Sequence, residues 1–516
     1  MQISKFTPVT SKGRRQNRQS QGKASPAPRK GKKRRRGRAV KGRARKKRKG
    51  RRGQNGKNSG TKQPISRVTT PRRNTKDQPK SDANFMARAL RSLFGRKEAE
   101  KHAKETGFVR RVRELMPYAL VLALVSCLGC GKADWLADIH RAHNKLTKSK
   151  IEYKPFHNQL RKPGFAKWLR ALLETAMLKL TMPILEAVPA SKLCAFEDIL
   201  IHDGSSFAVK ASLRKTFPGR FKKVSPAAVE LHVTMSGLEN TPHVIQLAAD
   251  KESERHFLPE PESIAHRLLL GDRALQDKAY FIKVDGADGV FIIRGTKNIK
   301  PTVLEARTEA GVRARHLRYL EGGRLSWHRL PRESVDLEIE WRDSKKKDLV
   351  YRGRLVVIYK PGRRNKKEYT YLHTNLKRED FTFEDVGNLY RFRWQIELMF
   401  KEWKSNSNLH AFDTGIEAIA EGLIWASLLV AVLKRSITHA AELVSKVELS
   451  TQRSARSAQH YLVEVISALY RNSKRALVSA LEDAFEFLAA NARRAHPKRD
   501  RRIGRLCAGL QPIATA

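Results

Sequence analysis

The sequence predicts a mixed α/β fold in which a sheet lies between two helical regions. Segments 228–236 and 243–249 are apolar and rich in β-branched residues, which is typical of strands. Segments 118–130 and 167–180 carry apolar residues at helical spacing, and the pattern is helical again from Thr382 to the end. Strands mixed with helices in this order indicate an α/β sheet flanked by helices.

The first 82 residues are a basic, low-complexity tail. Residues 1–80 contain 30 Lys and Arg and one acidic residue, in a chain whose formal net charge is +54. A segment with so little apolar surface cannot offset the entropy of ordering, so we expect 1–82 to be disordered. It is either a sequence-independent arm that neutralises phosphates or a solubilising extension. The rest of the chain is also basic, which favours a phosphate-rich partner over an anionic membrane surface.

Composition excludes several classes of protein. The longest apolar runs, 116–130 and 422–433, are shorter than the roughly 20 residues that cross a bilayer, so we expect buried helices and no membrane association. The beginning of the sequence shows no apolar stretch of the signal-peptide kind. Four cysteines make no disulfide framework, and the pair Cys127 and Cys130 predicts buried structural thiols rather than a redox or zinc site. We therefore expect a cytoplasmic protein whose partner is a nucleic acid.

Residues 83–190 are predicted to be helical. Apolar residues recur at helical spacing in segments that include 110–116. The stretch 135–168 predicts two short helices that are joined by a basic turn (Lys145, Lys148, Lys150). This arrangement is either a helix-turn-helix that reads a major groove or a plain helical bundle. Residues 298–375 are predicted to form a separate strand-rich block.

Two acidic residues follow apolar strands. Asp203 ends the mainly apolar run 199–202, where a strand-to-turn exit is predicted, and Asp272 follows the strand 268–271 in the same way. A carboxylate at the end of a buried strand is costly unless a cation offsets its charge. One such acid is usually structural, but two on neighbouring strands predict a site for a hard cation.

A third acid is predicted on a helix that begins near Thr382. At about 100° per residue, four polar side chains share one face of this helix: Tyr390, Arg393, Glu397 and Lys404. The opposite face is apolar and carries Phe392, Ile396, Met399 and Trp403. The polar face is either a solvated surface or a metal-binding acid beside groups that bind phosphate.

The string YRFRWQIELMFKEWK at 390–404 resembles the YREK signature of the DDE transposases of the insertion-sequence-four type. DGSSF at 203–207 resembles the first acidic motif of that family. GDRAL at 271–275, followed by FIIRGTKN at 291–298, resembles the second acidic motif. Ala274 and Leu275 stand where the family has Gly and an aromatic residue, so the turn after the acid is expected to differ.

The resemblance implies an RNase-H-like α/β catalytic domain with a β-rich insertion, flanked by an N-terminal helical DNA-binding domain and C-terminal helices. It implies that Asp203, Asp272 and Glu397 are catalytic and bind two Mg²⁺ ions, with Mn²⁺ as a substitute. It also implies a set of DNA-binding residues: Tyr390, Arg393, Lys404, Arg273 and Arg294. A tryptophan of the insertion, Trp327 or Trp341, is a candidate for stacking on a flipped base, although core packing is the commoner role.

These patterns divide the chain into six predicted regions. They are a disordered basic tail (1–82), a helical DNA-binding domain (83–190), the first part of the catalytic domain (191–297), the β-rich insertion (298–375), the second part of the catalytic domain (376–440) and a C-terminal helical region (441–516).

Other acidic residues in this region are interpreted as solvated surface, because their neighbours are polar loop residues: Asp250, Glu252, Asp277, Asp285 and Asp288. Glu402 lies off the Glu397 face of the helix, and alternation along the strand directs His202 away from Asp203.

The expected function is that of a bacterial DNA transposase. It would bind the inverted-repeat ends of a transposon, cleave them by two-metal-ion phosphoryl transfer and join the 3′-hydroxyl to target DNA. The expected partners are double-stranded DNA and a second copy of the chain in a paired-end complex. The alternatives are a non-catalytic DNA-binding or architectural protein derived from a transposase, and a related metal-dependent nuclease.

Overall fold

The structure is a computed structural model that describes residues 66–69, 82–131, 136–343, 348–362, 367–409, 412–495 and 505–513. Nearly all of the predicted tail 1–82 and the start of the predicted helical pair, Trp135, lie outside the described residues. None of the helices that are described is long and apolar enough to cross a membrane.

The described chain has three parts in sequence order: the first is mainly helical, the second is mainly strands, and the third is mainly helical again. The helices are α1 (Ala83–Phe94), α2 (Arg96–Glu105), α3 (Pro117–Cys130), α4 (Leu136–Thr147), α5 (Tyr153–Leu160), α6 (Pro163–Leu180), α7 (Lys278–Gly286), α8 (Phe383–Arg391), α9 (Trp394–Asn406), α10 (Glu417–Ser445), α11 (Thr451–Arg456), α12 (Leu462–Tyr470) and α13 (Lys474–Asn491). The strands are β1 (Ser66–Thr69), β2 (Leu185–Ala187), β3 (Ile199–Ala208), β4 (Ala228–Ser236), β5 (Thr241–Ala249), β6 (Leu268–Gly271), β7 (Val290–Gly295), β8 (Thr302–Thr308), β9 (Val335–Arg342), β10 (Val350–Pro361), β11 (Lys367–Thr374) and β12 (Leu510–Pro512).

Ten of these strands form one mixed sheet in the order β1-β5-β4-β3-β6-β7-β11-β10-β9-β8 within the described residues. Strands β3, β4 and β5 form an antiparallel meander, and β6 and β7 lie parallel to β3 on its other side. The strand-rich block 298–375 joins the same sheet, because β11 pairs antiparallel with β7. The sheet therefore continues without a break from β3, the strand that carries Asp203, into the strand-rich block.

The long helix α10 is buried along most of its length and packs against α6, α3 and α13. Helices from both ends of the chain consequently share one hydrophobic core with a face of the sheet. The two longest apolar runs, 116–130 and 422–433, form most of α3 and the buried centre of α10, which confirms that they are buried helices. Aromatic residues from α6 such as Trp168 fill the space between the helices.

Three predictions of local structure are wrong. Residues 66–69 are not disordered but form β1, which pairs with the edge strand β5; this edge offers free backbone groups, and Val68 and Thr69 are β-branched. Segment 110–116 is not helical, because Pro117 starts α3 and the residue before a proline is pushed out of the helical region. The C-terminal region is not helical to its end, since β12 pairs with β2.

Candidate active site

Asp203 and Asp272 lie side by side on neighbouring parallel strands. His202 of β3 is in register with Gly271, the last residue of β6, and each acid is the next residue along the chain. The predicted strand-to-turn exit at Asp203 is wrong, because β3 continues to Ala208 through its pairing with β4. Only the parallel pairing with β6 stops at this point, which leaves both carboxylates at the same place on the sheet.

The turn after Asp272 is a short 3₁₀ segment, Arg273–Leu275. The side chain of Leu275 folds back over Gly271, where a Cβ would lie 2.5 Å from its Cδ2 atom. Asp272 precedes this 3₁₀ turn without capping it through its side chain. Its carboxylate is therefore available for interactions across the site.

Glu397 lies on α9, and the predicted single helix from Thr382 is in fact two helices. Thr382 forms a capping box at the start of α8, but the chain tightens at Phe392 and Arg393, where the hydrogen bonds are of the i to i−3 type. The predicted apolar face of α9 is confirmed, because Ile396 is fully buried with the other members of that face. The break places the Arg393 side chain at the start of α9, next to the sheet.

Arg393 connects two of the three acids. Its Nη1 atom donates to Asp203 Oδ2 at 3.0 Å, and its Nη2 atom donates to Glu397 Oε1. The guanidinium is almost completely buried, so the attraction is weakly screened. Burial raises the pKa of Asp203 to about 6, Arg393 opposes this shift, and the negative charges of Asp272 and Glu397 add to it. The three acids are therefore close enough to influence one another.

The remaining polar residues of the helix pair surround the acids. The Arg393 guanidinium lies 5.8 Å from the centre of the Tyr390 ring, and burial raises the pKa of this phenol to about 12, so it keeps its proton. Lys404 Nζ donates to the backbone carbonyl of Ser206 on β3 at 2.7 Å. This hydrogen bond holds Lys404, the last residue of the YREK signature, against β3, the strand that carries Asp203.

The two arginines that follow the second acidic motif differ in position. Arg294 on β7 places its Nη1 atom 3.8 Å from Asp272 Oδ1, so it belongs to the site. Arg273 is exposed and forms no ion pair with the three acids in the part of the chain that the structure describes. The structure thus brings Arg294, but not Arg273, into contact with the carboxylate group.

The donor set of this site is of the kind that a hard cation prefers, since it consists of three carboxylates. Asp272 Oδ1 is buried and receives no hydrogen bond from the described residues. However, no three His, Cys, Asp or Glu side chains within the described ranges are already gathered around one point. Arg393 lies between Asp203 and Glu397, and its positive charge balances theirs.

Most of this chain is similar to known proteins. Residues 195–433 match the family described as "Transposase DDE domain", a range that contains all three acids. The chain is 21% identical over 442 residues to the transposase of insertion sequence element IS231E from Bacillus thuringiensis subsp. finitimus, covering 77% of this chain and 89% of the relative. It is 23% identical over 443 residues to the IS231C transposase of subsp. berliner, with the same coverage. Residues 195–433 are a transposase DDE domain, and the matches together support a DDE transposase of the insertion-sequence-four kind.

A cryo-EM structure of a piggyBac transposase synaptic complex with hairpin DNA also aligns with this transposase. The alignment covers 81% of this chain and 87% of that chain, with 11% sequence identity and a TM-score of 0.40.

Sequence reasoning missed a second group of charged residues beside the acids of the transposase. Glu230 on β4 is buried opposite Ser206, and its Oε2 atom accepts from Arg220 Nη2 at 2.9 Å. Asp250 is not solvated surface as predicted, because it is buried and accepts from the backbone N–H of Arg220 at 2.7 Å. The available signal was an acid inside the predicted strand 228–236, a position that burial makes costly unless a partner is present.

Two residues that the sequence predicts to be outside the site, His202 and Glu402, do lie away from the three acids. His202 points to the other side of the sheet and bonds Thr234 Oγ1 at 2.9 Å, as its strand alternation predicts. Glu402 is buried off the Glu397 face, where its Oε2 atom accepts from Arg435 at 2.9 Å. Both side chains are therefore engaged elsewhere and do not contact the three acids of the site.

The two tryptophans of the strand-rich block have different environments. Trp341 stacks on His373, with ring centres 5.3 Å apart, and Lys278 Nζ lies 4.8 Å from the centre of its ring. Trp327 is 70% exposed, and the Arg324 guanidinium lies 5.3 Å from its ring centre. Of the two, Trp327 alone presents most of its ring surface to solvent.

Proposed function

We propose that this transposase binds the inverted-repeat ends of a transposon, cleaves them by metal-dependent phosphoryl transfer and joins the 3′-hydroxyl to target DNA. The observation that carries this proposal is the bridge from Arg393 to Asp203 and Glu397 beside Asp272. The guanidinium of Arg393 is held by two acids that are catalytic in this proposal. It could release them and bind a DNA phosphate instead, because a guanidinium forms bidentate hydrogen bonds with carboxylates and phosphates alike.

An RNase-H-like catalytic core is part of the proposal. It is supported by the sheet, in which an antiparallel meander of β3, β4 and β5 is followed by parallel β6 and β7. The acids stand on the first strand of the meander and on the adjacent parallel strand, and α9 brings the third. The N-terminal helices α1–α6 are proposed to bind DNA, with the basic turn between α4 and α5 as a candidate contact.

Asp203, Asp272 and Glu397 would hold two Mg²⁺ ions. When bound, these ions supply Lewis-acid stabilisation of the charge on the attacking and leaving oxygens of an in-line displacement. The protein first has to release Glu397 from Arg393, because the guanidinium lies between two of the three carboxylates. Arg393, once free, would hold a DNA phosphate beside the scissile bond.

The surrounding residues position the DNA strand in this proposal. Tyr390 donates a hydrogen bond from a phenol that stays protonated, and Lys404 contributes a point charge from the end of α9. Arg294 lies beside Asp272 and would bind a phosphate that enters the site, whereas exposed Arg273 would reach DNA only at the rim. Trp327 is the better candidate for stacking on an unpaired base, because most of its ring is exposed. Two copies of the chain would act together on paired ends.

The experiment is a Mg²⁺-dependent nicking assay on the terminal DNA of the element, with the full chain. We expect the wild type to nick at the transposon end, and Glu397→Gln to bind the DNA but not to cleave it. Glu384→Gln, an exposed acid at the start of α8, is the matched control and should cleave normally.

Other outcomes would change the proposal. Tight, salt-sensitive binding without nicking by the wild type would support a DNA-binding protein that has lost catalysis. Nicking without transfer of the 3′-hydroxyl to a second duplex would support a structure-specific nuclease. Cleavage that persists in Glu397→Gln would remove this residue from the active site.

A further inference from the structure

A narrow hairpin protrudes between β3 and β4, and we call residues 218–227 the wedge hairpin. Its arms are joined by a β-bridge between Pro218 and Ala227, and hydrogen bonds continue across the arms above it. A Cβ atom at Gly219 would collide with the carbonyl oxygen of Ser225, so glycine is needed for the arms to approach this closely. The neck therefore holds the tip in a defined position.

Arg220 anchors the wedge hairpin to the body of the protein. Its backbone N–H donates to Asp250 Oδ2 at 2.7 Å, and its Nη2 atom donates to Glu230 Oε2 at 2.9 Å. Glu254 Oε1 lies 3.4 Å from the same Nη2 atom. Because Glu230 and Asp250 are buried, these bonds attach the hairpin to β4 and to the end of β5.

The base of the wedge hairpin borders the active site. A Cβ atom at Gly204 would lie 2.9 Å from Glu230 Oε1, and Gly204 directly follows Asp203. On the same strand, the carbonyl of Ser206 accepts the Lys404 hydrogen bond. The carboxylate that holds the hairpin is thus packed against the strand that carries the first catalytic acid.

The tip of the wedge hairpin combines exposed apolar and cationic side chains. Phe221 is 65% exposed and Val224 is 89% exposed, and the exposed Lys222 and Lys223 lie between them. The N–H of Ser225 donates to the Phe221 carbonyl at 2.8 Å and closes the turn. Apolar side chains that separate base pairs, with cations for the flanking phosphates, are the usual chemistry of proteins that unstack a DNA duplex.

We propose that the wedge hairpin inserts Phe221 and Val224 into the transposon-end duplex next to the scissile phosphate, while Lys222 and Lys223 bind the phosphates on either side. This inference rests on the proposed function, since it places the duplex in the active site. Separating a base step gives the scissile strand the freedom to enter between the three acids, and the contacts of the lysines offset the lost stacking.

The test compares two DNA substrates with the full-length protein. One is the fully paired transposon end, and the other carries a mismatch at the base step beside the cleavage site. Because unstacking costs free energy that the mismatch removes, we expect the double variant Phe221→Ser/Val224→Ser to nick the paired end about tenfold more slowly than the wild type, and the mismatched end within about twofold of it. Val463→Ser changes a 45% exposed valine on α12 and is the matched control, which should nick both substrates normally.

A second readout does not depend on cleavage. With 2-aminopurine at the same base step and no Mg²⁺, wild-type binding should raise its fluorescence, and the tip variant should bind without this rise. If the wild type nicks but both readouts are unchanged in the variant, or if the variant slows both substrates equally, the wedge is wrong and the proposed function stands. If the wild type nicks neither substrate but the tip-dependent fluorescence persists, the proposed function fails and the wedge stands.

Discussion

A single guanidinium decides the electrostatics of the active site. Asp203, Asp272 and Glu397 are brought together by a strand, the end of a neighbouring strand and a helix, and three uncompensated carboxylates at this distance would repel one another. Arg393 bonds two of them from the turn between α8 and α9. Arg393 therefore preorganises the site, and in the function proposed above it would change partners when metal and DNA bind.

Lys404 and Lys401 provide a direct test of which lysine of α9 contacts DNA. Lys404 Nζ is fixed on the Ser206 carbonyl beside the acids, whereas Lys401 is exposed and lies about 60° further round the helix. We expect Lys404→Ala to reduce the slope of log binding constant against log salt by about 1 and to slow cleavage, and Lys401→Ala to change both less. Binding of the terminal duplex, measured by fluorescence anisotropy at several salt concentrations, checks this. Equal effects of the two substitutions would contradict the assignment.

Glu230 makes the stability of the fold depend on pH. Burial, assisted by the charge of Glu254, raises the pKa of Glu230 to about 7, although Arg220 opposes the shift. Between pH 4.5 and about 7 the folded protein keeps a proton that the unfolded chain releases, so this stabilisation is complete below that window and is lost as the pH rises through about 7.

Glu230→Gln should remove this loss of stability. The free energy of unfolding of the variant minus that of the wild type is expected to rise across the window by on the order of 2 kcal/mol and to be flat above it. Urea denaturation of both proteins at a series of pH values measures the difference. Glu379→Gln, which changes an exposed carboxylate, is the control. A difference that does not vary with pH would show that Glu230 is charged throughout.

At the residue scale, sequence reasoning reached the residues whose neighbours along the chain reveal them. Asp203 and Asp272 follow apolar runs, and Glu397 lies at helical spacing from other polar groups, so local patterns were sufficient. Arg220 and Asp250 lie in loops, so no pattern of neighbouring residues marks them. They come together with Glu230 only because of how β4 and β5 are arranged in the folded protein. Their contacts depend on tertiary structure, which a pattern along the chain does not contain.

At the scale of elements, the helix that carries the YREK residues shows what periodicity can and cannot predict. The apolar face of α9 was predicted correctly, because burial follows the spacing of side chains within one helix. The break at Phe392 and Arg393 was missed, since both residues keep helical backbone angles and only their hydrogen bonds change. A small change of this kind shifts Arg393 relative to Glu397, and no residue pattern in the sequence indicates it.

The packing of α10 on α6 depends on a glycine, which has no side chain, at the contact between the two helices. Gly422 of α10 faces Phe165 of α6, and a Cβ atom there would lie 2.5 Å from the ring. Although alanine favours a helix over glycine by up to about 1 kcal/mol, overpacking a core typically costs about 1–3 kcal/mol. We therefore expect Gly422→Ala to lower the free energy of unfolding, as measured by urea denaturation.

Gly286→Ala is the matched control for this substitution. Gly286 is also in a helix, α7, but a Cβ atom there has nothing within 4 Å. It should leave stability unchanged or raise it slightly, because only the helix preference remains. If Gly422→Ala were as stable as Gly286→Ala, the contact between α10 and α6 would be looser than the structure indicates.

At the scale of the whole molecule, the sequence predicted the strands of the sheet better than their partners. Strands β4 and β6 have the predicted bounds, because each is a short apolar segment with clear ends. The pairings of β1 with β5 and of β12 with β2 join distant parts of the chain and were not predicted. Strands this short have too few residues for a pattern. Strand β1 forms because the edge of β5 is available in the folded protein, whereas β12 and β2 pair only with each other in a separate two-stranded sheet.

The basic tail therefore has to be tested in two parts. Residues 1–65 contain 25 Lys and Arg and no acidic residue, so their deletion should flatten the salt dependence of DNA binding and leave stability and selectivity for the transposon end unchanged. Deletion of residues 1–82 also removes β1 and exposes the backbone edge of β5, so it should in addition lower the free energy of unfolding. Anisotropy titrations on terminal and scrambled duplexes, with urea denaturation of each protein, separate the two effects. If the shorter deletion abolished selectivity, the tail would read sequence rather than act as an electrostatic arm.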